Sequence, residues 1–156
     1  MTADELIKLR NLASECKLES RTLLYHDTGL VLRVCNGIGP SWFPSSLRAM
    51  IDAFHPSLKV VAAIHDLRYY FGTGEISDFH LANDEFNSNG FLVSRHLFGW
   101  YNPRRYIVEY DAAKFAKLCN LGGKVAYFAA IEERRLNDEA AISIARIDDL
   151  VNNGGI

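Results

Sequence analysis

Cysteine is scarce in this chain and scattered: Cys16, Cys35 and Cys119 stand far apart and form no Cys-x-x-Cys pair. That argues against a disulfide framework and points to folding in a reducing compartment. Long apolar runs are missing too. No stretch approaches the roughly 18 apolar residues of a membrane span, so any action on a membrane is expected at its surface. Nor is there an excess of positive charge. Seventeen Lys and Arg against 19 Asp and Glu leave a net charge of −2, which argues against nucleic acid as a partner. The amino terminus, with Asp4 and Glu5 in a polar–apolar alternation, lacks the charged-then-apolar pattern of a signal peptide. The expectation is a protein made in the cytoplasm. No internal repeat and no low-complexity linker divides the chain.

What remains is ordinary globular composition, 49% hydrophobic and 23% charged over 156 residues, enough to bury a core as one domain spanning 1–156. Thr2-Ala3-Asp4-Glu5 is a capping box that opens a helix over 3–17, with Leu6, Leu9, Ala13 and Cys16 on one apolar face. Residues 22–34 place Asp27-Thr28-Gly29 between two apolar runs, a pattern that predicts a β-hairpin. Residues 35–46, rich in Gly, Pro and Ser, read as loop. Helices are predicted over 46–54, 57–71 and 77–89, the first two separated by Pro56 and the last two by Gly72-Thr73-Gly74. After Gly90 comes a less regular stretch holding Phe91, Phe98, Trp100 and Tyr101. Asn102-Pro103 opens a further helix to 119. Gly122-Gly123 interrupts before helices at 125–136 and 138–151, and Asn152-Asn153-Gly154-Gly155 reads as a frayed end. The prediction is a mainly α domain with a small β-hairpin, a core motif over 35–89 and additional C-terminal helices over 103–151.

Chemistry concentrates at His65-Asp66, with Tyr69 one helical turn further on. A histidine with a pKa near 6.5 can take a proton from water at neutral pH if a second group fixes its ring and tautomer. The adjacent aspartate points about 100° away on a helix, so it cannot be that orienting group. It can hold a cation beside the histidine, and backbone carbonyls of a glycine loop suit calcium, a hard ion that prefers oxygen ligands. Upstream lies such a loop, Cys35-Asn36-Gly37-Ile38-Gly39-Pro40, whose Gly37 and Gly39 permit the backbone angles a carbonyl-presenting loop needs. Downstream lies Ala82-Asn83-Asp84-Glu85-Phe86, on a predicted helix.

These residues resemble the phospholipase A2 superfamily, in particular its compact phage, bacterial and viral forms with few disulfides. The matched stretch runs from the Cys-Asn-Gly-Ile-Gly-Pro loop through Ala63-Ile64-His65-Asp66-Leu67-Arg68-Tyr69 to Ala82-Asn83-Asp84-Glu85-Phe86. Ala112-Ala113, and Gly122-Gly123 before Ala126-Tyr127-Phe128, also look like the tail of phage-encoded members. The resemblance implies a pair of long helices and calcium-dependent hydrolysis of a phospholipid acyl ester. It assigns His65 as general base, Tyr69 as support for the histidine through its hydroxyl, and Asp66 with carbonyls near Asn36, Gly37 and Gly39 as the calcium site. Trp42 and Phe43, beside the loop, would sit at the lipid interface, where amphipathic aromatics are favoured. The family's aspartate that orients the histidine falls at Asn83, a departure: an amide oxygen can fix the tautomer but supplies no charge to the imidazolium. Asp84 is adjacent and could substitute if the helix were rotated. A phage origin implies virion partners, with virion association or release on lysis.

Two competing readings follow from the same residues. One is a catalytically inactive phage structural or host-interaction protein on the same fold, with Asn83 marking the loss. The other is a metal-dependent phosphohydrolase, in which His80 and Asp84, spaced i,i+4, join His65 and Asp66 around manganese or iron. That reading needs a further upstream histidine, His26 or His55, and neither is well placed in the sequence.

Overall fold

A computed structural model describes residues 1–35 and 55–146 in full and the helical backbone of 147–152. The predicted helix over 46–54, the loop residues Asn36, Gly37 and Gly39, and Trp42 and Phe43 lie outside the described residues. Those residues form a mainly α fold with six α-helices, and no strand occurs among them. No helix among them is long and apolar enough to cross a membrane.

The first helix, α1 (Ala3–Glu15), starts where the capping box predicts. Glu5 N–H donates to Thr2 Oγ1 at 3.2 Å and Thr2 N–H to Glu5 Oε2 at 2.8 Å. Lys17 and Ser20, both at positive φ, then turn the chain.

The predicted hairpin over 22–34 is not formed. A 3-10 turn over Arg21–Tyr25 leads into a second helix, α2 (Thr28–Val34). Asp27, read as a turn residue, is the N-cap: its carboxylate accepts from Leu30 N–H at 2.9 Å. The apolar run that follows buries Val31 and Cys35, four residues apart, which is helical spacing. Short apolar runs do not distinguish strand from buried helix by pattern alone. Here a side-chain cap and a one-sided core contact decide for the helix.

Pro56 opens a 3-10 turn over Pro56–Leu58 that feeds α3 (Lys59–Tyr70). Val60, Val61, Ala62, Ala63, Ile64, Leu67 and Tyr70 are all buried, so α3 is enclosed on nearly every side and forms the centre of the molecule. The main core runs through α1, α2, α3 and the two helices that follow.

The fourth helix, α4 (Ile76–Leu97), continues past the predicted end at 89 and absorbs Phe91 from the stretch read as irregular. Gly90 does not break it. A Cβ there would lie 2.3 Å from Ala112 Cβ, so this glycine lets two helices approach closely inside a continuous helix. Ala112 belongs to α5 (Pro103–Gly122), whose start is capped by Asn102 Oδ1 accepting from Arg104 N–H at 3.0 Å. Trp100 and Tyr101, in the connection, are exposed, while Phe98 packs on the core.

The chain breaks at Gly122-Gly123 as predicted, but the two helices expected after it are one, α6 (Lys124–Asn152). Asn137-Asp138 contains neither Gly nor Pro, and Arg135 pairs with Glu132 and Glu139 across the expected break. α6 is tied to the body at its start, where Tyr127 is wholly buried and Arg134 donates to the Gly72 carbonyl at 3.2 Å. Residues 135–146 are exposed.

Candidate active site

Helical spacing on α3 puts His65 and Tyr69 one turn apart on one face, and their ring centroids lie 4.2 Å apart. On α4 the inward face carries Phe79, Ala82, Asn83 and Phe86. The two faces meet at the histidine. His65 Nε2 and Asn83 Oδ1 are 2.8 Å apart, and Tyr69 Oη donates to the same oxygen at 2.8 Å. The Phe86 ring stands perpendicular to the imidazole, their centroids 5.3 Å apart.

Because an amide oxygen only accepts, Nε2 must carry the proton in neutral His65. The lone pair is then on Nδ1, which takes no hydrogen bond from a described residue. His65 is 7% exposed and Asn83 is fully buried. Burial pushes the His65 pKa down to about 4, against the hydrogen bond to Asn83, which raises it; the Arg68 charge lowers it further. Burial likewise drives the Tyr69 phenol well above its ordinary value, so it stays protonated.

The two helices are fastened by Arg68, which reaches Asp78 Oδ1 at 2.8 Å and Glu85 Oε2 at 3.1 Å. Asp78 also accepts from Thr73 N–H and from Tyr127 Oη, and Glu85 from Ser20 Oγ. Burial works against the Asp78 charge, but the Thr73, Tyr127 and Arg68 hydrogen bonds outweigh it and hold this carboxyl below its usual range. The clamp sits one residue before Tyr69 and fixes how α3 and α4 meet at His65.

Asp66, half-buried, follows His65 on α3. Its charge is felt by Cys35, Tyr69 and Cys119. Burial first, and Asp66 second, push the Cys119 thiol up to about 12 and the Cys35 thiol higher still. Both thiols therefore stay protonated near neutral pH, and all three cysteines are free. Cys35 Sγ donates to the Ala63 carbonyl at 3.4 Å, which holds Cys35 against the helix that carries His65 and Asp66.

Of the residues singled out from sequence, His65, Tyr69 and Asn83 come together. Asp84 does not join them: it is exposed, turned about 100° around α4 from the buried Asn83. His80 is engaged with Asn120 on α5, Nδ1 to Oδ1 at 2.9 Å. His26 stacks on Phe71 and His55 pairs with Asp111 at 3.2 Å. Among the described residues, no group of three His, Cys, Asp or Glu is gathered to hold a metal.

Sequence reasoning missed Asn120. Its Oδ1 accepts from Asn83 Nδ2 at 2.9 Å as well as meeting His80, so the cluster runs His65–Asn83–Asn120–His80. The two asparagines are 37 residues apart on different helices, and no spacing rule joins them.

No family model, curated protein or solved structure matches the chain.

Proposed function

We propose that the protein is a phospholipase A2-like hydrolase that cleaves a phospholipid acyl ester with a water activated by His65. The observation that carries the reading is the shared acceptor at Asn83, which orients His65 through Nε2 and leaves Nδ1 as the basic atom. In this mechanism Nδ1 takes a proton from water as its oxygen attacks the ester carbonyl. The resulting imidazolium keeps Nε2–H on Asn83 Oδ1, and Nδ1 then returns the proton to the departing alkoxide of the lysolipid. Tyr69 and Phe86 both pack against the ring.

Asp66 fits a hard cation as an oxygen donor, and with carbonyls of Asn36, Gly37 and Gly39 it would hold calcium. The chemistry that ion supplies when bound is polarisation of the ester carbonyl and stabilisation of its oxyanion. Trp42 and Phe43 would seat the protein on the phospholipid surface.

A second reading, an inactive phage structural or host-interaction protein on the same fold, is favoured by the neutral amide at Asn83 and by exposed aromatics along one end: Trp100, Tyr101, Tyr106 and Tyr110. Fatty-acid release from mixed phospholipid vesicles separates the two. The hydrolase gives release that requires calcium and disappears with chelator or in His65→Ala. No release from vesicles or micelles by the wild-type protein overturns it in favour of the inactive fold.

A further inference from the structure

An aspartate beside a histidine presents two equivalent oxygens, whichever way it turns. An asparagine does not: one end accepts and the other donates, and a half-turn exchanges them. At Asn83 the choice has a consequence. With Oδ1 toward the ring, His65 carries its proton on Nε2 and offers Nδ1 as a base. With Nδ2 toward the ring, Nε2 would have to accept, the proton would move to Nδ1, and the basic atom would be lost. Tyr69 cannot enforce the first arrangement, because a hydroxyl can donate or accept.

The remaining contact of Asn83 can enforce it. Its Nδ2 donates to Asn120 Oδ1 at 2.9 Å, and that oxygen also meets His80 Nδ1 at 2.9 Å. Turning Asn83 alone would set its oxygen against the Asn120 oxygen. Turning both amides would place Asn120 Nδ2 against His80 Nδ1 and require His80 to move its own proton to Nε2. Reversal therefore demands that His65, Asn83, Asn120 and His80 change together, with the Tyr69 hydroxyl turning from donor to acceptor. We propose that Asn120 is a positioning residue that locks the Asn83 amide and, through it, the tautomer of His65. Asn120 is only half-buried, at the end of α5, and touches neither His65 nor Tyr69 through a hydrogen bond. Its importance for turnover rests on the hydrolase reading; its effect on the ring does not.

The test is the tautomer itself, read from ring-nitrogen shifts in long-range nitrogen–proton correlation spectra of the labelled full-length protein, with His65→Gln assigning the signals. Wild type is expected as the Nε2–H form. In Asn120→Ala the Nδ1–H population should rise about threefold to tenfold, the worth of one net amide hydrogen bond. Asn120→Asp, which keeps an accepting oxygen, should restore the wild-type tautomer. Identical tautomer populations in wild type and Asn120→Ala, or a wild-type ring already in the Nδ1–H form, would overturn the proposal. Vesicle hydrolysis measured alongside keeps the two ideas apart. An inactive wild type defeats the hydrolase reading, while the spectra still decide the lock.

Discussion

His65 Nε2 lies 2.8 Å from Asn83 Oδ1, across 18 residues of chain and between two helices that Arg68 also clamps through Asp78 and Glu85. The contact fixes which nitrogen is basic, and because the acceptor is a neutral amide it favours the imidazolium only as a hydrogen bond, with no negative charge beside the ring.

Asn83→Asp should therefore raise the His65 pKa from about 4 toward or above its ordinary value, since a carboxylate within hydrogen-bond distance favours the charged ring. A histidine titration followed by magnetic resonance reads the change directly. If the protein is a hydrolase, kcat should rise, on the order of tenfold or more, since the reverse change in a catalytic triad is severely damaging. The substitution also places a carboxylate against Asn120 Oδ1, so Asn120 must turn and release His80. In that background Asn120→Ala should no longer alter the His65 tautomer.

Acid should destabilise the protein through His65. Its folded pKa of about 4 lies below that of an exposed histidine near 6.5, so between these values the unfolded chain binds a proton that the folded chain refuses. The stability associated with neutral His65 is complete above about pH 6.5 and is lost as pH falls toward about 4, on the order of 3 kcal/mol. Urea midpoints from about pH 7 to about pH 4.5 should fall more steeply for wild type than for His65→Gln. A parallel decline in the two proteins contradicts the assignment. Under the hydrolase reading, kcat/KM should hold its plateau on the acid side down to about pH 4.

Arg68→Met should cost about 3 kcal/mol or more, because it leaves Asp78 and Glu85 partly buried without their shared cation. Their side chains are 13% and 11% exposed, so solvent screens them little. A loss below about 1 kcal/mol in urea unfolding would mean that Thr73, Tyr127 and Ser20 suffice to hold the two carboxylates.

Gly90→Ala and Gly122→Ala should move stability in opposite directions. The first drives a methyl group to 2.3 Å from Ala112 Cβ and should cost about 1–3 kcal/mol by forcing α4 and α5 apart. The second adds a methyl group with nothing within 4 Å, on helical backbone, and should gain up to about 1 kcal/mol. Thermal midpoints of the pair provide the check.

Local signals in the sequence carried α1, α3 and the start of α5 because each has its own chemistry nearby: a capping box, a proline, an asparagine cap. The same locality misled at residues 22–34. Asp27 and Gly29 suit a turn, but Asp27 suits an N-cap as well, and burial of Val31 and Cys35 decided between them. Gly90 was misread because a glycine that ends a helix and one that admits a neighbouring helix are identical in sequence; Ala112, which distinguishes them, is remote. At the site, His65, Tyr69 and Asn83 were legible because helical spacing on two motif-bearing segments already sets which faces can meet. Asn120 was not, since its pairing with Asn83 depends on where α5 crosses α4. Asp84, exposed beside Asn83, shows how one position of helix rotation separates a buried partner from a solvated charge.

Gly123, at the corner between α5 and α6, leaves no room for a side chain: a Cβ there would stand 2.6 Å from Tyr69 Oη. The corner and the Tyr69 hydroxyl are thus in mechanical contact. The turn that starts α6 is therefore packed against the oxygen that donates to Asn83, so a side chain added at this corner would be felt at Tyr69 and, through it, in the geometry around His65.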